Sequence, residues 1–361
     1  MEIKEHYWPP VKFNIHNNKT DKRVVSSGEC QSAKKEMKNL KPVMQGKKGM
    51  YFTLMTIAFL VIFLFLFFIP SYQRLSEKTT VVELRVEAMD NVLKDVERDM
   101  ERGLYISSFR GLLSMEEYVT EKGSFLDNSP KRFSEAVLNG TINGTNSTLM
   151  ISSTFSNWVQ KIQTETLKFN INTTITIHSV SISQEDPWHV VAKANVTIQM
   201  NDVTNVASWY RKEEVKTILP IFDFEDPVYI IYSYGRSANA IEISPYENNY
   251  TYLVNGTWNT TNVMKHIEHS YYVANTLAPS FLMRFENNLS NSSNGIESMV
   301  YVPELSDEGL IINSGSSIID YYYWKQTLNG NYRINFTPSW VKFDQPHLAR
   351  YNLTTLSYVG T

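Results

Sequence analysis

A run of twenty residues without a charge, MYFTLMTIAFLVIFLFLFFI from Met50 to Ile69, constrains this chain more than any other feature. An α-helix rises about 1.5 Å per residue, so the run matches the ~30 Å hydrocarbon core of a bilayer. Because the run is apolar on every face, it has no side for solvent, which argues against a helix of a soluble domain. It predicts a transmembrane helix over residues 49–70.

A cleaved secretory signal is an alternative interpretation of the same segment. The apolar core of such a signal is usually shorter, and it ends at a small-residue cleavage site. Here the run ends in Phe67, Phe68, Ile69 and Pro70 instead, so we expect the segment to stay in the membrane as an anchor.

The charges lie unevenly on the two sides of this segment. Residues 1–48 hold 11 Lys and Arg against 5 Asp and Glu, whereas residues 71–361 hold 23 against 32. Because basic flanks stay in the cytoplasm, we predict a cytoplasmic N-terminus, a single membrane pass and an extracellular C-terminal domain. An acidic outer part also argues against a nucleic-acid partner.

Cysteine use and glycosylation motifs agree with that orientation. Cys30 is the only cysteine and precedes the span, so the chain has no intrachain disulfide and no cysteine-rich zinc site. Twelve Asn-X-Ser/Thr sequons follow the span, which indicates a glycosylated surface domain. Asn335 is discounted because Pro338 follows its Thr337. The glycosylation candidates are Asn139, Asn143, Asn146, Asn172, Asn195, Asn249, Asn255, Asn259, Asn288, Asn291 and Asn352.

Apolar residues recur after Pro70 at alternating spacings of four and three. This heptad pattern predicts a long amphipathic helix over residues 71–122, kinked at Pro70 and ended by Gly123. The stripe packs either on the protein's own domain or on another subunit, and periodicity favours neither. The predicted packing seam is Leu75, Val82, Val86, Met89, Leu93, Val96 and Met100.

Two runs of alternating apolar residues dominate the remaining part, residues 123–361. They cover residues 167–177 and 188–200 on either side of a turn, and they predict an antiparallel hairpin with one buried face. Asn172 and Asn195 fall on the other phase, so we expect both to face solvent.

Other local signals complete the predicted fold. Ser129 and Thr154 are predicted helix N-caps, and Val228 to Tyr234 is a further predicted strand. The fold class is therefore α+β: an N-terminal transmembrane helix that extends into a long amphipathic helix, followed by an antiparallel-sheet ectodomain with short covering helices.

Lys47, Lys48 and Gly49 directly precede the apolar run. These three residues and the run together resemble a class III, prepilin-type signal. With a long helix leading into an antiparallel sheet, residues 45–122 resemble archaeal type IV pilin-like surface proteins. The resemblance implies cleavage after Gly49 by a membrane peptidase, and a helix that forms a filament core. The sequence departs from many pilins at Leu54, where they have Glu.

Four further segments resemble uncharacterised archaeal pilin-like proteins, and this likeness implies no activity. They are FEDPVY (Phe224 to Tyr229), APSFLMRF (Ala278 to Phe285), GIESMV (Gly295 to Val300) and SIIDYYYW (Ser317 to Trp324). A glycosylated ectodomain without disulfides also fits an archaeal cell surface. Residues 1–48 are either a basic cytoplasmic tail or a leader, in which case translation begins at Met37 or Met44.

The sequence contains no recognised catalytic motif. His266 and His269 lie three residues apart, but they lack the HExxH glutamate and a third ligand, so a surface helix is the favoured interpretation. Asp223, Glu225 and Asp226 lack calcium-loop spacing and are interpreted as turn and capping residues. We therefore expect no enzyme activity, metal or cofactor.

Together these features predict a single-span archaeal cell-surface glycoprotein of pilin-like build, with a structural, adhesion or filament-assembly role. Its expected partners are the lipid bilayer and other pilin-like subunits or surface proteins. The alternative is a non-polymerising, membrane-anchored ectodomain that binds a ligand or partner. A surface enzyme is the third class considered.

Replacing Gly49 by Leu tests the processing prediction. In cells that carry the peptidase, the Gly49→Leu variant is expected to remain as the uncleaved precursor, because a small residue precedes the cut site. Intact mass and N-terminal sequencing measure this. Gly46→Leu is the matched control and is expected to be cleaved normally. An N-terminus upstream of Lys47 in the unaltered chain would contradict the prediction.

Overall fold

The computed structural model describes residues 47–359, and these divide into two units, residues 47–71 and 72–359. The predicted tail or leader, residues 1–48, lies outside the described residues apart from Lys47 and Lys48. Among the described residues, one helical segment, Gly49–Leu66, is long and apolar enough to cross a membrane, with a mean hydropathy of 2.3. This finding rests on length and composition alone.

Nine α-helices lie within the described part of the chain, and the first is 76 residues long. It continues through Pro70 and ends at Gly123, whose φ of 59° and hydrogen bond to the Val119 carbonyl form the predicted stop. The helices are α1 (Lys47–Lys122), α2 (Ser129–Asn139), α3 (Phe155–Leu167), α4 (Pro227–Tyr232), α5 (Thr261–Glu268), α6 (Phe281–Arg284), α7 (Val302–Asp307), α8 (Asp320–Trp324) and α9 (Gln345–Arg350).

Every strand of the described chain pairs with its neighbours in antiparallel fashion. One sheet has the order β3-β4-β5 and another the order β11-β10-β12, while three short pairs form the rest. The strands are β1 (Thr141–Ile142), β2 (Thr145–Asn146), β3 (Ile171–Asp186), β4 (His189–Asp202), β5 (Ser208–Pro220), β6 (Tyr252–Val254), β7 (Thr257–Asn259), β8 (Val273–Ala274), β9 (Ile296–Glu297), β10 (Tyr332–Ile334), β11 (Lys342–Phe343) and β12 (Ser357–Val359). The fold is α+β, as predicted.

The predicted hairpin is present as β3 and β4, with Asn172 and Asn195 exposed on its outer face. Its first strand begins later than predicted, because Leu167 ends α3 and the chain turns before Ile171. A bulge between Ile177 and Ser179 then reverses the phase of burial along β3. The third strand, β5, was not predicted.

The second unit contains two hydrophobic cores. The first core joins one face of α1 to α2, α3 and the inner face of β3-β4-β5, and the second lies among the short elements after residue 227. Thr154 caps α3, as predicted, and its hydroxyl oxygen accepts the Asn157 N–H at 3.1 Å. Asn128, rather than Ser129, caps α2 through the Lys131 N–H at 2.8 Å.

The predicted strand at Val228–Tyr234 is wrong, because this segment forms helix α4. Asp226 accepts the Val228 N–H at 2.9 Å, and Pro227 occupies the first turn. A capping carboxylate followed by proline starts a helix even before a β-branched run. Capping therefore decides the conformation here over strand propensity.

The packing seam of α1 is divided in two. Met89, Leu93, Val96 and Met100 are buried in the first core, whereas Val82 and Val86 are 43% and 37% exposed. The side chain of Leu75 is outside the described part. The stripe thus packs on the protein's own domain from Met89 onward.

Polar contacts fix α1 along the sheet. Arg85 donates to Asp202 Oδ1 from Nε at 2.8 Å and from Nη2 at 2.6 Å, at the end of β4. Arg211 of β5 donates to Glu97 at 2.6 Å. Gly103 lies against Trp158 of α3, since an added Cβ would lie 3.0 Å from the indole. Gly103 therefore allows α1 and α3 to pack closely.

Truncating the two halves of the seam separates their roles. Leu93→Ala is expected to lower the free energy of unfolding by about 2–5 kcal/mol, because it leaves a cavity in the first core. Val82→Ala is expected to change it by less than about 0.5 kcal/mol, because Val82 is exposed. Denaturant unfolding of the detergent-solubilised chain measures both. Equal losses from the two variants would contradict this division of the seam.

Candidate functional site

The polar centre of the second unit is the fully buried guanidinium of Arg284. Its Nη1 lies 2.5 Å from Asp226 Oδ2, and its Nη2 lies 2.8 Å from Asp320 Oδ2. All three side chains have no exposed surface. Nη2 also donates to the Ile296 carbonyl, and Tyr272 donates its hydroxyl to Asp226 at 2.7 Å. A buried charge of this kind persists only when paired and hydrogen-bonded.

Burial and neighbouring charges shift the pKa values of Asp320 and Arg284. Burial raises the pKa of Asp320 to about 6, while the nearby Arg284 opposes that rise. Burial alone would lower the pKa of Arg284, but Asp226 and Asp320 raise it well above its usual value. The guanidinium is thus held charged by two carboxylates, one of which is itself destabilised as an anion.

A second buried group centres on Glu297, next to Ser298 in the chain. Glu297 Oε2 accepts from Asn275 at 2.7 Å and lies 3.1 Å from His347 Nε2, and its Oε1 accepts from Tyr351 at 2.9 Å. His347 Nδ1 lies 2.5 Å from Asp344 Oδ1. The imidazole therefore lies between two carboxylates.

That position sets the protonation of His347. Burial would lower its pKa, but hydrogen bonds to Asp344 and Glu297 and their charges outweigh burial and raise it to about 9. Both ring nitrogens then donate, one to each carboxylate. His347 is accordingly an imidazolium at neutral pH.

Ser298 connects the two groups. Its hydroxyl lies 2.8 Å from the Tyr229 hydroxyl and donates to Asp320 Oδ2 at 3.3 Å. We call Asp226, Arg284, Glu297, Asp320 and His347 the buried ionic cluster. They come from the start of α4, the end of α6, β9, the start of α8 and α9.

The four short segments FEDPVY, APSFLMRF, GIESMV and SIIDYYYW meet at this cluster. Asp226 lies in FEDPVY, Arg284 in APSFLMRF, Glu297 in GIESMV and Asp320 in SIIDYYYW. Glycine is required at Gly295, since a Cβ there would lie 2.1 Å from the Ala278 carbonyl oxygen. Close backbone approach at Gly295 and the pairing of these charged side chains thus bring the four segments together.

Helix α1 reaches the same region through Glu116. Its carboxylate accepts the backbone N–H of Glu225, which precedes the cluster residue Asp226. Burial raises the pKa of Glu116 to about 8, and that hydrogen bond only partly opposes the rise. The end of α1 is therefore joined directly to the loop that supplies Asp226.

Three residues considered in the sequence as capping or metal-ligand candidates, Asp226, Asp223 and His266, lie in different environments. Asp226 is the predicted capping residue, while Asp223 lies in a turn with a φ of 65°. His266 is buried rather than on a surface helix face, and burial lowers its pKa to about 3. Among the described residues, no three His, Cys, Asp or Glu side chains form a metal-ligand group.

The sequon asparagines lie mostly on the surface, where they are accessible for glycan attachment. Ten of the eleven candidates are exposed and Asn259 is half-buried, so glycosylation remains a prediction for all of them. Asn335 is exposed as well. The sequence also has a sequon at Asn18, ahead of the span and outside the described residues, so sequons are concentrated after the span rather than confined there.

Gly49 is exposed near the start of α1, and its cleavage also remains a prediction.

Surface cavities accompany the second core. One of about 590 Å³ is bordered by the exposed Tyr234, Ile311 and Leu328, and a smaller one of about 240 Å³ lies beside β10 and β11. The buried ionic cluster opens into neither by an exposed side chain. Its members pair with one another and with neighbouring amide and hydroxyl groups inside the fold.

Comparison with known proteins gives no relative for this chain. No protein-family model matches it, and no curated protein or solved structure is significantly similar to it.

The sequence alone did not reveal the cluster. Its members lie between residues 226 and 347, and their spacing follows from the fold rather than from a motif. The one available signal was the set of four segments quoted for their resemblance, since each contains a charged residue within an otherwise apolar or aromatic stretch.

The pH dependence of stability tests the state of His347. Its folded-state pKa of about 9 exceeds the ordinary value of 6.5, so its contribution is complete below pH 6.5 and is lost as pH rises through 9. We expect the unaltered chain to lose about 3 kcal/mol of stability across that range from this group.

His347→Gln is expected to be less stable by about 3–5 kcal/mol at pH 6, because it leaves buried carboxylates without their cation. The variant should also lack the part of the stability loss at alkaline pH that deprotonation of His347 causes in the unaltered chain. The control, His269→Gln, alters an exposed residue at the end of α5 and should change stability by less than about 0.5 kcal/mol. Urea unfolding between pH 6 and 9.5 measures both. An identical slope in the His347 variant would refute this protonation state.

Proposed function

We propose that the chain is a single-span, pilin-like surface glycoprotein that acts structurally, in adhesion or in filament-type assembly. The observation that carries the proposal is the distribution of apolar residues along α1. This helix contains the membrane-spanning candidate Gly49–Leu66, and its face from Met89 onward packs on the antiparallel sheet. A helix with both features suits a subunit that is anchored in a membrane and presents a folded domain.

The stretch of α1 from Val81 to Val86 supports a contact with a second subunit. Val81, Val82, Leu84 and Val86 are all exposed, at 66%, 43%, 60% and 37%. They lie on more than one side of the helix, beyond the region covered by the protein's own sheet. Exposed apolar surface marks interaction sites in soluble domains.

Charge and glycosylation motifs support the placement of the domain outside the cell. The basic flank precedes Met50, and the exposed sequons Asn172 and Asn195 occupy the outer face of the sheet. Glycans on that face would leave the opposite, α1-covered face unaffected. We propose accordingly a cytoplasmic N-terminus and an extracellular domain from residue 71.

The alternative is a non-polymerising, membrane-anchored ectodomain that binds a ligand. The cavity beside β10 and β11, whose lining includes Arg333 and Lys342, favours ligand binding as a second candidate function. We propose no enzymatic activity, because the strongest cluster of titratable side chains, around Arg284, has no exposed surface through which a substrate would enter.

Charged substitutions on the two parts of α1 test subunit assembly. The double variant Val82→Asp, Val86→Asp is expected to abolish association while shifting the melting temperature of the monomer by less than about 4 °C, because both side chains are exposed. Leu93→Asp is expected to lower the melting temperature strongly, because it buries an unpaired carboxylate. Light scattering after size-exclusion chromatography and thermal unfolding in detergent measure the two effects.

Glu83→Gln with Glu87→Gln is the matched control on the same turns and should alter neither property. If the unaltered chain is a monomer at all concentrations tested, the ligand-binding alternative replaces assembly. Association that survives in the Val82 and Val86 variant would contradict the proposed contact surface.

A further inference from the structure

The small cavity beside β10 and β11 has a charge opposite to that of the domain around it. Its volume is about 240 Å³, and its eleven lining residues include Arg333 and Lys342 but no Asp or Glu. Residues 71–361 as a whole carry more acidic than basic side chains. A cavity with two cations and no acid in an acidic domain favours an anionic ligand.

The two cations occupy an unfavourable arrangement in the absence of an anion. Arg333 and Lys342 are direct cross-strand partners in the β10–β11 pair, so their side chains lie on the same face of the sheet. Directly opposed side chains have Cβ atoms about 4.5–5.5 Å apart, and like charges so placed destabilise a sheet. An anion bound between them would remove that repulsion.

The side chain of Arg333 is half-buried and lacks a partner. Its Nε is buried without a hydrogen bond, and no carboxylate of the described residues forms an ion pair with it. Lys342, in contrast, donates to the Ser314 carbonyl. Buried guanidinium donors are normally satisfied, and their fork geometry matches a carboxylate.

The rest of the lining suits a sugar ring. Trp340 borders the cavity, and its indole is held edge-to-face against Tyr301 with ring centroids 5.7 Å apart. Asn313, Ser314 and Ser339 add amide and hydroxyl groups to the lining. Aromatic surface combined with a few polar groups is typical of small-molecule sites, which usually measure ~300–1,000 Å³. The volume of this cavity, about 240 Å³, is below that range and matches a single sugar ring.

We propose that this cavity binds one acidic monosaccharide, with its carboxylate between Arg333 and Lys342 and its ring against Trp340. The site is separate from the α1 surface proposed for assembly. Its occupancy therefore does not depend on whether the chain polymerises.

Titration of the full chain in detergent with galacturonate, galactose and sulfate tests the site. Galacturonate is expected to bind at least tenfold more tightly than galactose, which has the ring without the carboxylate. It is also expected to bind at least tenfold more tightly than sulfate, which has charge without the ring. Calorimetry or ligand-observed NMR measures the three affinities.

Variants assign the two parts of the ligand to residues. Arg333→Gln is expected to weaken galacturonate binding at least tenfold and leave galactose unchanged, whereas Trp340→Leu should weaken both. Arg98→Gln, on an exposed face of α1, is the charge-matched control and should bind as the unaltered chain does. Lys342→Gln carries the same expectation as Arg333→Gln if the latter fails to fold.

Three results would overturn the proposal. Equal binding of galacturonate and galactose, or unchanged binding by the Arg333 and Lys342 variants, would remove the carboxylate contact. Sulfate binding as tight as galacturonate binding would reduce the cavity to a simple anion site and remove the saccharide.

Discussion

The second unit depends on the pairing of one buried guanidinium, Arg284, with the carboxylates of Asp226 and Asp320. The chain has one cysteine, so no intrachain disulfide ties its distant segments together. Four segments between residues 224 and 324 instead meet through charge pairs and hydrogen bonds. Removing one partner would leave a buried charge uncompensated, which is strongly destabilising, whereas the intact cluster requires all four segments to be in place. The short elements after residue 227 are thus ordered by polar contacts as well as by the second core.

Helix α1 connects this cluster to the rest of the domain. Glu116 binds the backbone at Glu225, and Met89 to Met100 pack on the sheet through the first core. Val82 and Val86, which precede Met89, continue the same heptad spacing but are exposed. The heptad pattern is continuous, but its residues lie in two environments, exposed at Val82 and Val86 and buried from Met89 onward. The change occurs near Arg85, which binds Asp202 at the end of β4. The exposed half is the physical basis for the proposed assembly surface.

The sequence predicted the elements whose signals are local. The β3–β4 hairpin, the Thr154 cap and the stop at Gly123 each follow from alternation or capping within a few residues. Strand β5 escaped prediction because the positions in phase with its buried Val215 and Leu219 include Arg211, which binds Glu97 of α1, and Glu213, which pairs with Arg211, so its alternation is weak. The cluster around Arg284 escaped because its partners come together only in the folded chain.

Equilibrium unfolding of an Arg284→Met variant tests the central role of the buried cluster most directly. Methionine keeps an unbranched, apolar side chain but leaves Asp226 and Asp320 without their shared cation. The expected result is a loss of about 3–5 kcal/mol in the free energy of unfolding at neutral pH. The companion variant Arg98→Met, which removes an exposed cation of α1, should lose less than about 1 kcal/mol. A loss below about 0.5 kcal/mol in Arg284→Met would show that the fold does not depend on this interaction.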